Sequence, residues 1–272
     1  MTALFIYGIM CAFVFGLIFG SFANVCIYRI PLDMSIAKPA SACVKCKNPI
    51  RWYDNIPVLS FLMLGGKCRY CKTKISFIYP LVEIITGLLF ALLFYKYHLS
   101  LPFFLFCLLA FSLVVISGID YYYQIIPDVF PLILACCGLL SAAFNPALGD
   151  AYLERIVNSV CGLFAGGGSL FAIGMLGQLI YKQEAMGGGD VKLMAGVGAL
   201  IGWDKVLFAI FTAAFLGSIA GIFLLSFKKI KKRGYMPFGP FLAAASYTVL
   251  FLPKPEILIN AFIAWETKLL GM

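Results

Sequence analysis

The sequence predicts an all-α, polytopic membrane protein of about eight transmembrane helices with one polar, zinc-ribbon-like loop on the cytosolic side. Three observations carry this. Hydrophobic residues make up 62% of the 272 positions and charged residues only 12%, whereas a soluble domain is about half apolar and a quarter charged. Eight segments are apolar enough to serve as spans, given the roughly 20 residues a crossing needs. Four of the ten cysteines sit as two tight pairs in a polar stretch between the first two of those segments.

Taken in order, the spans are expected at roughly 3–27, 78–97, 101–119, 128–148, 156–181, 191–203, 205–227 and 238–253. The first lacks a basic start and a small-residue cleavage site, so it reads as a retained span rather than a removed signal peptide. Segment 191–203 is short for a crossing and is either tilted or packed inside the bundle. The tail 256–271, with Glu256, Glu266 and Lys268, reads as an interfacial helix in preference to a ninth span. The chain accordingly divides into a first span (1–29), a four-cysteine module (30–77) and a membrane-embedded core (78–272).

Orientation follows from charge. Sixteen of the 21 Lys and Arg residues fall in the connections 28–77, 182–192 and 228–233, and five fall on the opposite side. Cationic loops stay cytoplasmic, so the cysteine loop is expected in the cytosol. The net charge of +9 then reports membrane orientation and contact with lipid, not nucleic acid. The block "FKKIKKRG" reads as a topology anchor at the lipid surface.

The loop carries "CVKCKNPI" and, 25 residues later, "CRYCKTKI". Both fit C-x-x-C-K-x-x-I. Two such turns present four thiolates, Cys43, Cys46, Cys68 and Cys71, in the pattern of a tetrahedral structural Zn²⁺ site. Disulfides are disfavoured in a reducing cytosol. A closed four-thiolate site leaves no position for substrate, so the metal is expected to hold the loop's shape.

Five of the twelve acids, Glu83, Asp120, Asp128, Glu184 and Asp190, lie at or near the cytoplasmic ends of expected spans. Ionisable groups at such depth are candidate functional residues. Asp120 closes one span and Asp190 opens another at the same expected membrane level. Asp128, after a proline, reads as a helix N-cap. Asp190 follows Gly187, Gly188 and Gly189, more glycine than a cap needs. Such a stretch admits close backbone approach, as an extended peptide beside a carboxylate would require. With Lys192 these glycines form the candidate active-site loop. Two aspartates in one poorly solvated pocket share a proton and titrate as a pair, so the ionised one can activate water while the protonated one polarises a carbonyl. His98 is the only histidine and lies on the expected outer side, which removes H-E-x-x-H zinc proteolysis and disfavours a Ser–His pair. "AGGGSL" at 165–170 reads as close helix packing.

Together these stretches resemble the type IV prepilin peptidases, membrane aspartyl proteases of the GxGD type. The likeness runs through "FGSFANVCIYRIP" at 19–31, "NPIRWYDNIPVLSFL" at 48–62, "GKCRYC" and "YPLVEIITG" at 79–87. It continues in "IDYYYQIIPD" at 119–128, "GGGDVKLMAGVGALIGW" at 187–203 and "MPFGPFLA" at 236–243. Val44 and Lys47 depart from the proline and glycine many members carry at those places.

The resemblance implies a bacterial inner-membrane enzyme with Asp120 and Asp190 as its catalytic pair. Such an enzyme cleaves the short basic leader from prepilins and pseudopilins at the cytoplasmic face. It also implies methylation of the new N-terminus with S-adenosylmethionine. The methyl-donor pocket is not located by sequence; Glu83 is a weak candidate for the donor or the new amine, and a helix-end packing role fits it equally well. A basic leader meeting a basic face needs a bridge, either anionic lipid or the acids Asp33, Asp54 and Glu184. A transporter using its intramembrane carboxylates is the alternative, and it leaves the four-cysteine module unexplained.

Overall fold

The structure, a computed structural model, describes residues 2–182, 186–226 and 237–252. It is helical, and among the described residues only two isolated β-bridges occur. Glu184, the basic block at 228–233 and the tail 256–271 lie outside the described residues. The chain forms two compact units, Met1–Pro127 and Asp128–Met272.

The first unit holds α1 (Thr2–Arg29), α2 (Leu59–Met63), α3 (Ile78–Tyr97) and α4 (Leu101–Tyr123). Glycine decides how α1 meets α3. A Cβ on Gly16 would come within 2.7 Å of the Gly87 Cα, and one on Gly20 within 2.6 Å of the Glu83 Cα. "FGLIFG" is thus a small-xxx-small face that lets two backbones touch. Phe19 and Phe22 then pack on Phe111 of α4 at ring centroid distances of 5.7 and 5.9 Å.

The second unit holds α5 (Val129–Ser141), α6 (Tyr152–Tyr181), α7 (Gly188–Ile201), α8 (Trp203–Ser226) and α9 (Gly239–Thr248). Its centre is α7, with Leu193, Met194 and Gly196 to Ile201 all buried. A Cβ on Gly198 would overlap the Gly162 carbonyl oxygen of α6, and one on Gly162 would overlap that of Gly198. On another side of α7, a Cβ on Gly196 would come 2.6 Å from the Pro131 carbonyl oxygen of α5. Of the two readings of 191–203, packing inside a bundle is therefore the observed one. The glycines of "AGGGSL" divide: Gly166 and Gly167 face Met194 and Ala195 of α7, while Gly168 has nothing described within 4 Å.

Among the described residues, five helices, α1, α3, α4, α6 and α8, are long and apolar enough to cross a membrane. The three other expected spans are helices of 13, 14 and 10 residues, namely α5, α7 and α9. At 1.5 Å per residue these measure about 15–21 Å, short of a hydrocarbon core about 30 Å thick.

Candidate active site and metal centre

The four-cysteine module repeats itself at an offset of 25 residues in hydrogen bonds as well as in sequence. Cys43 N–H donates to the Asn48 carbonyl and Lys47 N–H to that of Cys43, both at 2.9 Å; Cys68 N–H donates to Thr73 at 2.8 Å and Lys72 N–H to Cys68 at 3.1 Å. The bridges Ala42–Pro49 and Lys67–Lys74 keep the same offset. Each turn needs left-handed backbone just after its second cysteine, and Lys47 (φ 59°) and Lys72 (φ 56°) supply it. That conformation is why glycine suits position 47; here lysine adopts it.

The two turns bring their thiols together. All four Sγ atoms lie within 4.8 Å of one another, with Cys43–Cys71 at 3.8 Å and Cys46–Cys68 at 4.0 Å. Tetrahedral zinc with Zn–S bonds of about 2.3 Å places its sulfurs about 3.8 Å apart, so the cage is already close to the size the ion requires. The Thr73 hydroxyl and amide beside Cys71 bring that thiol down to about 6, and the amide of Cys46 lowers Cys43. Burial and the neighbouring thiols push Cys46 the other way, up to about 11, so Cys43 and Cys71 are the members of the set that reach the metal-binding thiolate form first.

Around the cage, Arg69 grips Asp54, its Nε 2.8 Å from Oδ2, and holds that carboxyl below the usual range. Asp54 is thus neutralised within the module and is not an acid left over for a basic leader. Arg29, at the end of α1, is a structural anchor that its sequence context did not reveal. It is buried and donates to the carbonyls of Ser35 and Pro39 at 2.9 and 2.8 Å.

The two candidate catalytic carboxylates each end a helix in their own unit. Asp120 is buried, 7% exposed, in the last turn of α4. That helix stops because Gln124 turns left-handed and donates its N–H to the Asp120 carbonyl at 3.0 Å. Exposed Tyr121, Tyr122 and Tyr123 follow, the residue type that collects at membrane–water interfaces.

Asp190 lies in the first turn of α7, partly exposed, with its N–H donating to the Gly187 carbonyl at 3.2 Å. No described atom lies within 4 Å of a Cβ built on Gly188, and at Gly187 the nearest is the Asp190 Oδ2 at 3.4 Å. Of the three glycines before Asp190, Gly188 is exposed and Gly187 and Gly189 are half-buried.

Two further residues have partners that the sequence did not show. Asp128 does occupy the N-cap position of α5, but its side chain makes no cap bond; it accepts from Lys192 Nζ of α7 at 2.8 Å on both oxygens. Glu83 is buried in α3, and its carboxylate accepts the Val58 N–H at 2.7 Å.

Comparison with known proteins places these features. The model of the bacterial peptidase A24 N-terminal domain matches residues 14–97, and that of the type IV leader peptidase family matches residues 107–222. A prepilin leader peptidase/N-methyltransferase of Pseudomonas putida is 34% identical over 263 residues, covering 89% of each chain. The chain belongs to the type IV leader peptidase family.

Other relatives of the same description agree. One from Neisseria gonorrhoeae is 34% identical over 89% of this chain and 90% of its own. Another from Klebsiella pneumoniae is 41% identical over 71% of this chain and 85% of its own. No solved structure gives a significant match to this chain. Within the family match, the first model takes in the whole four-cysteine module, and the second takes in both Asp120 and Asp190.

Proposed function

We propose that this chain is an aspartic endopeptidase that removes the short basic leader of type IV prepilins and pseudopilins, and that it N-methylates the residue so exposed. One observation carries the reading. In a member of the leader peptidase family, two aspartates stand at helix ends, and one of them follows a run of three glycines whose middle member is exposed.

Asp120 and Asp190 act as one pair. The ionised carboxylate takes a proton from the attacking water, and the protonated one donates to the scissile carbonyl oxygen. No covalent intermediate forms. Gly187, Gly188 and Gly189 receive the extended leader beside Asp190, and Lys192 holds the turn from its pair with Asp128.

Cys43, Cys46, Cys68 and Cys71 hold a structural Zn²⁺, which when bound supplies folding energy to a loop with few buried apolar positions. S-adenosylmethionine, when bound, would supply the electrophilic methyl group for the new amine. Its pocket is assigned to no residue: of the two readings of Glu83, the bond to Val58 favours packing.

The chain makes eight passes, with α5, α7 and α9 as the short ones, in the bacterial inner membrane. The first span (1–29), the cysteine module (30–77) and the core (78–272) are the working divisions. The cysteine loop and both aspartates face the cytoplasm, an orientation supported by the bias of Lys and Arg. Membrane lipids are the chain's other partners, and nucleic acid is not one. The transporter alternative has no support from the relatives.

Cleavage of a pilin precursor by the purified chain in proteoliposomes tests the peptidase reading. Transfer of labelled methyl from S-adenosylmethionine to a pre-cleaved pilin tests the second activity. A chain that cuts but never methylates is a peptidase alone.

A further inference from the structure

The Glu83 carboxylate reaches from α3 to the turn from which α2 starts. Glu83 is buried and takes the Val58 N–H at 2.7 Å. Val58 stands at φ 60°, ψ −48°, a region that a β-branched residue rarely enters. The Leu59 N–H donates back to the Pro57 carbonyl, which closes a γ-turn of the strained kind. A carboxylate from a neighbouring helix thus holds the turn from which α2 starts.

Glu83 is the sixth residue of α3, about 7–8 Å along the axis from Ile78. The 20 residues of α3 match a hydrocarbon core about 30 Å thick. Helix α2 therefore begins beside the first two turns of a membrane span, not out in water. Leu59, Leu62 and Met63 are 51%, 68% and 79% exposed at i, i+3, i+4 spacing, which places them on one helix face. Phe61 turns elsewhere, to Phe77 at 6.1 Å.

Exposed Arg51, Lys67, Lys72 and Lys74 lie in the same module. Asp54, the one acid between residues 48 and 77, is already held by Arg69. An apolar face at interfacial depth with unbalanced positive charge around it suits an anionic lipid surface.

We infer that α2 is an interfacial helix that seats the four-cysteine module on anionic lipid, with Leu59, Leu62 and Met63 at the headgroup–acyl boundary and Glu83 as the tether that sets the depth. The inference does not depend on the peptidase reading.

The test uses the full chain with Trp52, Trp203 and Trp265 replaced by Phe and a single reporter, Leu62→Trp. It is reconstituted in equal parts phosphatidylcholine and phosphatidylglycerol. Lipids brominated on the acyl chains are expected to cut its emission at least about two-fold while aqueous iodide has little effect. Quenching should weaken in phosphatidylcholine alone. Quenching by iodide but not by brominated lipid overturns the inference, and so does protection from both, which means that protein covers the face.

Glu83→Ala should expose the reporter to iodide, while Leu88→Trp, on an exposed position of α3, stays lipid-quenched and shows that the span is intact. If Glu83→Ala leaves the Leu62→Trp reporter unmoved, Glu83 is not the tether. Met63→Trp replaces Leu62→Trp if the latter does not fold.

Discussion

Lys192 Nζ lies 2.8 Å from both carboxylate oxygens of Asp128, joining the start of α7 to the start of α5 across 64 positions of sequence. The pair is solvent-exposed on both partners, so it contributes no more than about 1 kcal/mol to stability. Its value is in position, since Lys192 is two residues beyond Asp190. Asp128→Asn and Lys192→Met should each leave the unfolding midpoint nearly unchanged and slow leader cleavage by a similar factor. The double variant should be no slower than either single one. Additive losses in the double variant contradict the pairing.

Gly198 and Gly162 meet where α6 crosses α7, and neither has room for a Cβ. Gly198→Ala must push the two backbones apart, at a cost of about 1–3 kcal/mol. Gly168→Ala, on another face of α6 with no described atom within 4 Å of the added Cβ, should cost almost nothing. Thermal unfolding of the two variants in detergent checks the contrast, and equal effects would show that the crossing is not as close as described.

Removing one ligand should empty the metal cage. Cys43→Ser or Cys68→Ser is expected to take bound zinc from one ion per chain to none, read by elemental analysis of the purified protein; unchanged stoichiometry rules the site out. Lys47→Gly acts in the opposite direction. It relieves a left-handed lysine by about 1 kcal/mol, so zinc should bind roughly five-fold tighter. Weaker binding would mean that the Lys47 side chain supports the turn.

Asp54 gives the module a defined pH response. The Arg69 guanidinium lowers the Asp54 carboxyl, so the stabilisation is fully present above the ordinary aspartate value of about 3.9. It is lost only as pH falls through the lower folded value. The stability difference between the parent chain and Asp54→Asn should stay constant from pH 8 to pH 5. A difference that shrinks within that range contradicts the assignment.

How much of this was legible in the sequence depends on how local each signal was. The cysteine pairs could be read because two turns with one hydrogen-bond pattern carry one residue pattern, and the 25-residue echo survives folding unchanged. The shortness of 191–203 was visible, but length alone left tilt and packing inside the bundle as equal readings. Asp128 misled because proline followed by aspartate signals a cap locally, while its actual partner, Lys192, lies far along the chain. The Glu83–Val58 bond was invisible for a stronger reason: nothing in the sequence marks a β-branched residue for positive φ. Arg29 looked like one more orienting charge until its two backbone acceptors were seen. Span counting could not distinguish five long helices from three short apolar ones, because composition records apolarity and not where a helix stops.

The most direct test of the central claim is the rate of leader cleavage by Asp120→Asn and Asp190→Asn in proteoliposomes, with zinc content and unfolding temperature measured on the same samples. Each variant is expected to lose at least about a thousand-fold in rate, near 4 kcal/mol of transition-state stabilisation, while keeping its metal and its fold. Cleavage at the parent rate by either variant, folded and zinc-loaded, would contradict the paired-carboxylate account.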